Sequence, residues 1–228
     1  MARRKLFVVA GMHGDEPFTL VIAGKLLEIG STKVDVRIGN PEALASGVRY
    51  IQTDMNRSFL MSKSSSKEAR LATSLQKQIA KSNPDLIIDM HTSISNVPKV
   101  AILAQDSKKL RSIASKLGMD AVVIMPTSIA QKSLIGQYPS MSMSLEFGIE
   151  HRSSKLASQI AKSITALKIS GPPPNDLPVY KVIRKIESTE ARGTRLENLE
   201  YNKDIGGYPF LVGKGTYPDF KGFLAKKL

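Results

Sequence analysis

The sequence predicts an α/β fold, a sheet with helices on both faces followed by a small β-rich C-terminal part. Three observations predict it. Short apolar runs alternate with amphipathic stretches from residue 5 to residue 167, the rhythm of a sheet covered by helices. The run Gly171-Pro172-Pro173-Pro174-Asn175 then breaks that rhythm, because it suits neither a helix nor a central strand. Beyond it come a β-rich stretch and short segments punctuated by Gly206-Gly207, Gly213 and Gly215.

The elements follow in order. Lys5–Ala10 reads as a buried strand and Gly11–Gly14 as a turn. Pro17 opens a helix over Phe18–Ile29, since proline is tolerated in a first turn. Val34–Ile38 is a second strand, ended by Gly39-Asn40-Pro41. Lys67–Lys81 has Leu71, Leu75 and Ile79 on one helical stripe and stops at Asn83-Pro84. Leu86–Met90 and Val100–Ala104 are apolar strands, and Ser107–Leu117 is a helix closed by Gly118. Ala121–Met125 and Met143–Phe147 are strands, Ser153–Leu167 is a helix, and Val179–Ile186 is strand-like. These readings divide the chain into a main domain over 1–170 and a small β-rich domain over 175–228.

Composition narrows the class. A chain of 228 residues, 42% hydrophobic, can bury a full core. It has no cysteine, which excludes a disulfide scaffold and any thiolate metal site. Leu6–Ala10 is too short an apolar run to span a membrane and lacks a small-residue cleavage site after it, so it reads as a strand. The expected compartment is the cytoplasm. The net charge of +13 raises nucleic acid as a partner. The basic residues are dispersed, however, and tryptophan is absent, so the expectation is a solvated basic surface without a membrane or nucleic-acid role.

The chemistry gathers where strands end. His13-Gly14-Asp15-Glu16 follows the first strand, and in open α/β sheets ligands collect at the carboxyl ends of strands. An imidazole and a carboxylate three residues apart on such a turn can converge on one metal ion. Alone they equally suit a capped turn with a glutamate in the first turn of a helix. His91 follows the strand Leu86–Met90, and Asp89 shares its side of that strand. Asp89 can orient a ligating ring or pair with an arginine. Asp54-Met55-Asn56-Arg57 lies in a polar stretch, where Arg57 and Asn56 can hold a carboxylate. Arg49 can steady an oxyanion near a metal, although most isolated arginines form surface ion pairs. Glu146 is a carboxylate in an apolar strand, suited to taking a proton from water, or to facing solvent from an edge.

Together these segments resemble the aspartoacylase/succinylglutamate desuccinylase family, relatives of the zinc carboxypeptidases. The resemblance is carried in order by Ala10-Gly11-Met12-His13-Gly14-Asp15-Glu16, Gly39-Asn40-Pro41, Arg49 to Phe59, Asp89-Met90-His91-Thr92-Ser93 and Glu146-Phe147-Gly148. Gly215-Thr216-Tyr217-Pro218 adds a C-terminal feature. The resemblance implies a carboxypeptidase-like mixed sheet and one zinc ion per chain held by His13, Glu16 and His91. It implies Glu146 as general base, Arg49 polarising the amide carbonyl, and Asn56 with Arg57 binding a substrate carboxylate.

Some positions depart from the family. Members acting on N-acetylaspartate have a second carboxylate-binding arginine shortly before the base; this register gives Gly136, with Lys132 nearby. Where those enzymes bring a tyrosine to the site, the alignment offers Phe223, or Tyr217 in a shifted register. Asp15 replaces the usual asparagine, and the chain is short for the family. The expected activity is hydrolysis of a small N-acyl amino acid or similar carboxylate. The alternatives are a metallocarboxypeptidase for short peptides and a non-catalytic nucleic-acid binder on the same fold. His151 reads as a surface residue, and the sequence leaves a homo-oligomer open.

Overall fold

The structure, a computed structural model, describes residues 5–60, 65–191, 193–213 and 220–228. Nine strands form one mixed sheet: β1 (Leu6–Ala10), β2 (Val34–Ile38), β3 (Leu86–Thr92), β4 (Val100–Leu103), β5 (Ala121–Ile124), β6 (Ser142–Phe147), β7 (Val179–Glu187), β8 (Tyr208–Phe210) and β9 (Phe220–Lys227). Their order across the sheet is β2-β1-β3-β6-β4-β5-β7-β9-β8. β1 runs parallel to β2 and β3, and β3 parallel to β6, while β4 lies antiparallel to β6. The chain leaves β1 for β2 on one side and returns to β3 on the other. That reversal opens a crevice at the carboxyl ends of β1 and β3.

Strand β1 is apolar throughout because both of its faces are covered. Leu6, Val8 and Ala10 pack with helix α1 (Phe18–Ile29) through Phe18, Ile22 and Leu26. Phe7 and Val9 face the opposite way, onto Ala72, Leu75 and Ile79 of helix α3 (Lys67–Ser82). Helices α4 (Lys108–Lys116) and α7 (Ser154–Ala166) join the first face. Helices thus cover both faces, as the periodicity predicts. Ser66 caps α3 by accepting from Ala69 N–H, and Asn83 ends it in a left-handed conformation just before Pro84.

Two local differences from the sequence reading bear on the site. The segment Gly39-Asn40-Pro41 starts a helix, α2 (Pro41–Ser46), as well as ending β2. Asn40 accepts from Ala43 N–H and proline takes the first helical position, where its missing N–H costs nothing. Strand β3 continues through Thr92, so His91 is a strand residue rather than one following a strand.

The C-terminal residues are β-rich and continue the same sheet. β7 pairs in parallel with β5, while β9 runs antiparallel to β7 and β8 antiparallel to β9. Tyr180, Val182, Phe210 and Phe223 share a hydrophobic cluster with Val100, Ile102, Val123 and Met125. The proline-rich run between the two parts is tied to α4. Lys116 Nζ donates to the carbonyls of Lys168, Ser170 and Gly171, and Ser115 Oγ donates to Asn175 O at 2.7 Å. No helix among the described residues is long and apolar enough to cross a membrane.

Candidate active site

His13 and Glu16 sit on the turn between β1 and α1. The Thr19 hydroxyl braces that turn, accepting from Gly11 N–H at 3.0 Å and donating to Glu16 O at 2.9 Å. Gly14 packs against α2 so closely that a Cβ there would lie 2.1 Å from the Ala43 carbonyl. The neighbour of His13 must therefore be glycine for the turn to seat.

His91 and Glu146 face each other in register across β3 and β6. His13, Glu16, His91 and Glu146 are all buried. One ligand atom from each of His13, Glu16 and His91 lies within 4.8 Å of the others. His13 Nδ1 is 2.7 Å from Glu16 Oε1, and His91 Nδ1 is 3.1 Å from Glu16 Oε2. The far nitrogen of each ring meets another carboxylate, His13 Nε2 to Asp54 Oδ1 at 3.1 Å and His91 Nε2 to Asp89 Oδ2 at 2.8 Å.

This pattern fixes the chemistry of the centre. A carboxylate accepts a hydrogen bond from each Nε2–H, which in the neutral ring leaves Nδ1 as a lone pair aimed at Glu16. Three acceptors pointing at one another repel unless positive charge lies between them. A metal cation supplies that charge, and two imidazole nitrogens with one carboxylate form the donor set of an open metal site. Without a cation, protons take its place. Burial opposes charge on both rings, but Glu16 and Asp54 hold the His13 pKa above the usual imidazole value. Asp89 and Glu16 hold that of His91 well above it. Burial likewise opposes charge on Glu16, yet His13 and His91 keep its pKa far below the normal carboxylate range. Thr92 N–H also donates to Glu16 Oε2 at 3.0 Å.

Glu146 is different. Burial pushes its carboxyl up to about 7, with His91 pulling against that rise and Glu16 adding to it. A carboxylate poised near neutrality is suited to exchanging protons.

The loop over residues 49–57 supplies the cations. Arg49 Nη1 lies 3.4 Å from Glu16 Oε1 and its Nη2 3.6 Å from Asp54 Oδ2. Asp54 caps a short 3-10 turn over Met55–Arg57 by accepting from Asn56 N–H at 2.8 Å. The Asn56 amide is oriented by Leu134 N–H, which donates to its Oδ1 at 3.1 Å, so Nδ2 faces the site 3.2 Å from His91 Nε2. Glu68, the second residue of α3, fixes this loop from below. Its buried carboxylate accepts from the N–H groups of Ile51, Gln52 and Thr53 at 2.7–3.3 Å.

All seven candidate residues, His13, Glu16, Arg49, Asn56, Arg57, His91 and Glu146, line one cavity of about 160 Å³. Asp89 orients the ring of His91, one of the two roles open to it in the sequence. Phe223 is buried in the cluster behind β9 and does not line the cavity. Tyr217 and the rest of the segment Gly215–Pro218 lie outside the described residues. His151 lies outside the cavity as well. Sequence reasoning missed Asp54 as the partner of His13, Glu68 as the brace of the loop, and Leu211 as part of the cavity wall. Asp54 stood inside a quoted motif and was the one of the three with a signal.

Residues 2–167 match the family described as the succinylglutamate desuccinylase/aspartoacylase catalytic domain. The chain belongs to this family. Among curated relatives of the succinylglutamate desuccinylase/aspartoacylase domain, it is 31% identical over 166 residues to a succinylglutamate desuccinylase of Pseudomonas fluorescens, covering 63% of this chain and 49% of the relative. It is 30% identical over 119 residues to a probable aspartoacylase of Acaryochloris marina, covering 45% of this chain and 39% of that one. The chain spans about half the length of the first of these relatives and less of the second. Among solved structures, a succinylglutamate desuccinylase from Chromobacterium violaceum superposes with a TM-score of 0.79 at 19% identity, covering 100% of this chain and 85% of that one. Murine aminoacylase 3 superposes with a TM-score of 0.77 at 17% identity, covering 100% and 96%. At those identities the structures establish a shared fold.

Proposed function

We propose that this chain hydrolyses the amide bond of a small N-acyl amino acid, using one zinc ion held by His13, Glu16 and His91. The observation that carries the reading is the pair of imidazole Nδ1 atoms aimed at the Glu16 carboxylate, each ring held from behind by Asp54 or Asp89. Family membership supports it.

When bound, zinc supplies a Lewis acid that polarises the amide carbonyl and acidifies water. The side chains do the rest. Glu146 takes the proton of the attacking water and delivers it to the leaving amine. Arg49, at the cavity wall beside Glu16, donates to the carbonyl oxygen as negative charge develops there. Asn56 and Arg57 hold the substrate carboxylate and so set the scissile bond against Glu146. Every proposed residue comes from one chain, so the reaction does not call for an oligomer. The cytoplasm is the proposed compartment.

The test is elemental analysis of the purified protein with an amine-release assay over N-acyl amino acids and short peptides, with and without chelator. The expected result is one zinc per chain and chelator-sensitive release from acyl amino acids. Glu146→Gln should lower kcat by about 10²–10⁴-fold, the usual contribution of a general base, while zinc content stays unchanged. Full activity in that variant, or in metal-free protein, overturns the mechanism. Cleavage of peptides in preference to acyl amino acids makes the chain a metallocarboxypeptidase instead.

A further inference from the structure

The cavity has two unlike halves. Its polar half holds the metal ligands, Glu146, Arg49, Asn56 and Arg57. The same cavity has an apolar wall of Ile102, Met125, Ile129, Ile135 and Leu211. Ile102 lies in β4, Met125 just beyond β5, Ile129 in helix α5 (Thr127–Ala130) and Ile135 in helix α6 (Leu134–Gln137). All five belong to the hydrophobic cluster shared with the C-terminal strands or pack against it, so the wall is the end of a rigid core.

From this division we infer that the substrate is an N-acyl amino acid with a hydrocarbon side chain seated on this wall, carrying a single carboxylate. The inference rests on the deacylase reading above and specifies its substrate class.

Three further observations support it. The wall adjoins the carboxylate anchor, because the N–H of Leu134, next to Ile135, orients Asn56. In the inferred pose, a side chain on the same α-carbon as the anchored carboxylate rests on Ile129 and Ile135, which line the same cavity as Asn56 and Arg57. Second, Arg49 and Arg57 are the only arginine or lysine residues among the described residues lining the cavity. Gly136, at the register of the relatives' second arginine, has no room for a side chain. A Cβ there would lie 2.0 Å from Ala130 O. Lys132 is exposed and does not line the cavity. A second substrate carboxylate would thus lose its water against hydrocarbon without a partner.

Third, Leu211 is held in the left-handed region with φ 51° and is 8% exposed. That conformation is unfavourable for a residue with a Cβ, and such strain concentrates at ligand sites. Here it is spent placing a leucine side chain in the cavity wall, from the C-terminal part of the chain.

The test measures kcat/KM of the zinc-loaded full chain on N-acetylleucine, N-acetylmethionine, N-acetylglycine, N-acetylaspartate and N-succinylglutamate, with N-hexanoylglycine as an acyl-chain control. N-acetylleucine and N-acetylmethionine should exceed N-acetylaspartate and N-succinylglutamate by about 100-fold and N-acetylglycine by about tenfold, since a methylene in an apolar pocket discriminates by roughly 10–200-fold. In Leu211→Gly, where φ 51° suits glycine and circular dichroism checks the fold, KM for N-acetylleucine should rise about tenfold while kcat falls much less. Equal or better turnover of N-acetylaspartate or N-succinylglutamate overturns the inference and leaves the deacylase reading standing. So does selectivity that follows acyl-chain length, or an unchanged KM in a folded Leu211→Gly. If zinc-loaded protein hydrolyses none of the panel, the deacylase reading itself fails, and this inference with it.

Discussion

His13 and His91 share one device: Nδ1 toward Glu16 and Nε2 against a second carboxylate. Removing the charge of one such carboxylate weakens the ligand without touching the metal. Asp54→Asn should lower zinc affinity by about 10–100-fold, the usual effect of losing a ligand's supporting carboxylate, as read by competition against a chromophoric chelator. Unchanged affinity would show that Asp54 does not act through His13. Glu146 makes a pH prediction. A general base works only when ionised, and burial raises this carboxyl to about 7, so activity is lost as pH falls through its folded-state value. A bound cation stabilises the ionised form and moves that value down. The acid limb of kcat/KM should therefore inflect at or below pH 7 and fall tenfold per unit beyond it. An inflection well above pH 7, or no acid limb at all, argues against Glu146 as the base. The role of Asp89 was legible in the sequence because alternate residues of a strand share a side. That of Asp54 was not, because it reaches His13 from a loop 41 positions away and no local spacing encodes such an approach.

Among the elements, the loop over residues 49–57 carries the most chemistry with the least regular structure. It stays in place because Glu68, in the first turn of α3, gathers three consecutive backbone N–H groups onto one carboxylate. Those hydrogen bonds also hold the Glu68 pKa below its usual value against the cost of burial. In Glu68→Gln one oxygen becomes an NH₂ facing N–H donors. The expected loss is about 1–3 kcal/mol of stability, the cost of leaving a buried donor unpaired. KM should rise by about tenfold as Asn56 and Arg57 shift, with zinc still one per chain. Thermal melting and steady-state kinetics check this, and a variant with unchanged KM would show that the loop holds itself. The main helices and strands were readable because their apolar periodicity is long and both faces of β1 are covered. Helix α2 was hidden by its brevity. Asn40-Pro41 ends a strand and starts a helix with the same two residues, and the sequence reading saw only the ending.

At the scale of the whole molecule, the proline-rich run at 171–174 suggests a boundary, and we propose 1–170 and 175–228 as the two parts of the chain. The packing makes them dependent on each other. Tyr180, Val182, Phe210 and Phe223 are buried against Val100, Ile102, Val123 and Met125, and β7 covers the edge of β5. Periodicity reports which residues are apolar but not which partner covers them, so this shared core was not legible in the sequence. Burying a large apolar side chain contributes about 1.5–3 kcal/mol. Four such residues together approach the whole stability of an ordinary domain, about 5–15 kcal/mol. A fragment ending at residue 170 should therefore lose its cooperative melt, bind hydrophobic dye and fail to retain zinc, even though His13, Glu16, His91 and Glu146 all lie within it. Circular dichroism melting of that fragment beside the full chain decides the matter. A cooperative transition near the full-length midpoint would mean that the first part folds alone and that residues 175–228 serve only to place Leu211 over the site. Loss of the transition would mean that the C-terminal strands hold the sheet together and shape the cavity with the same residues.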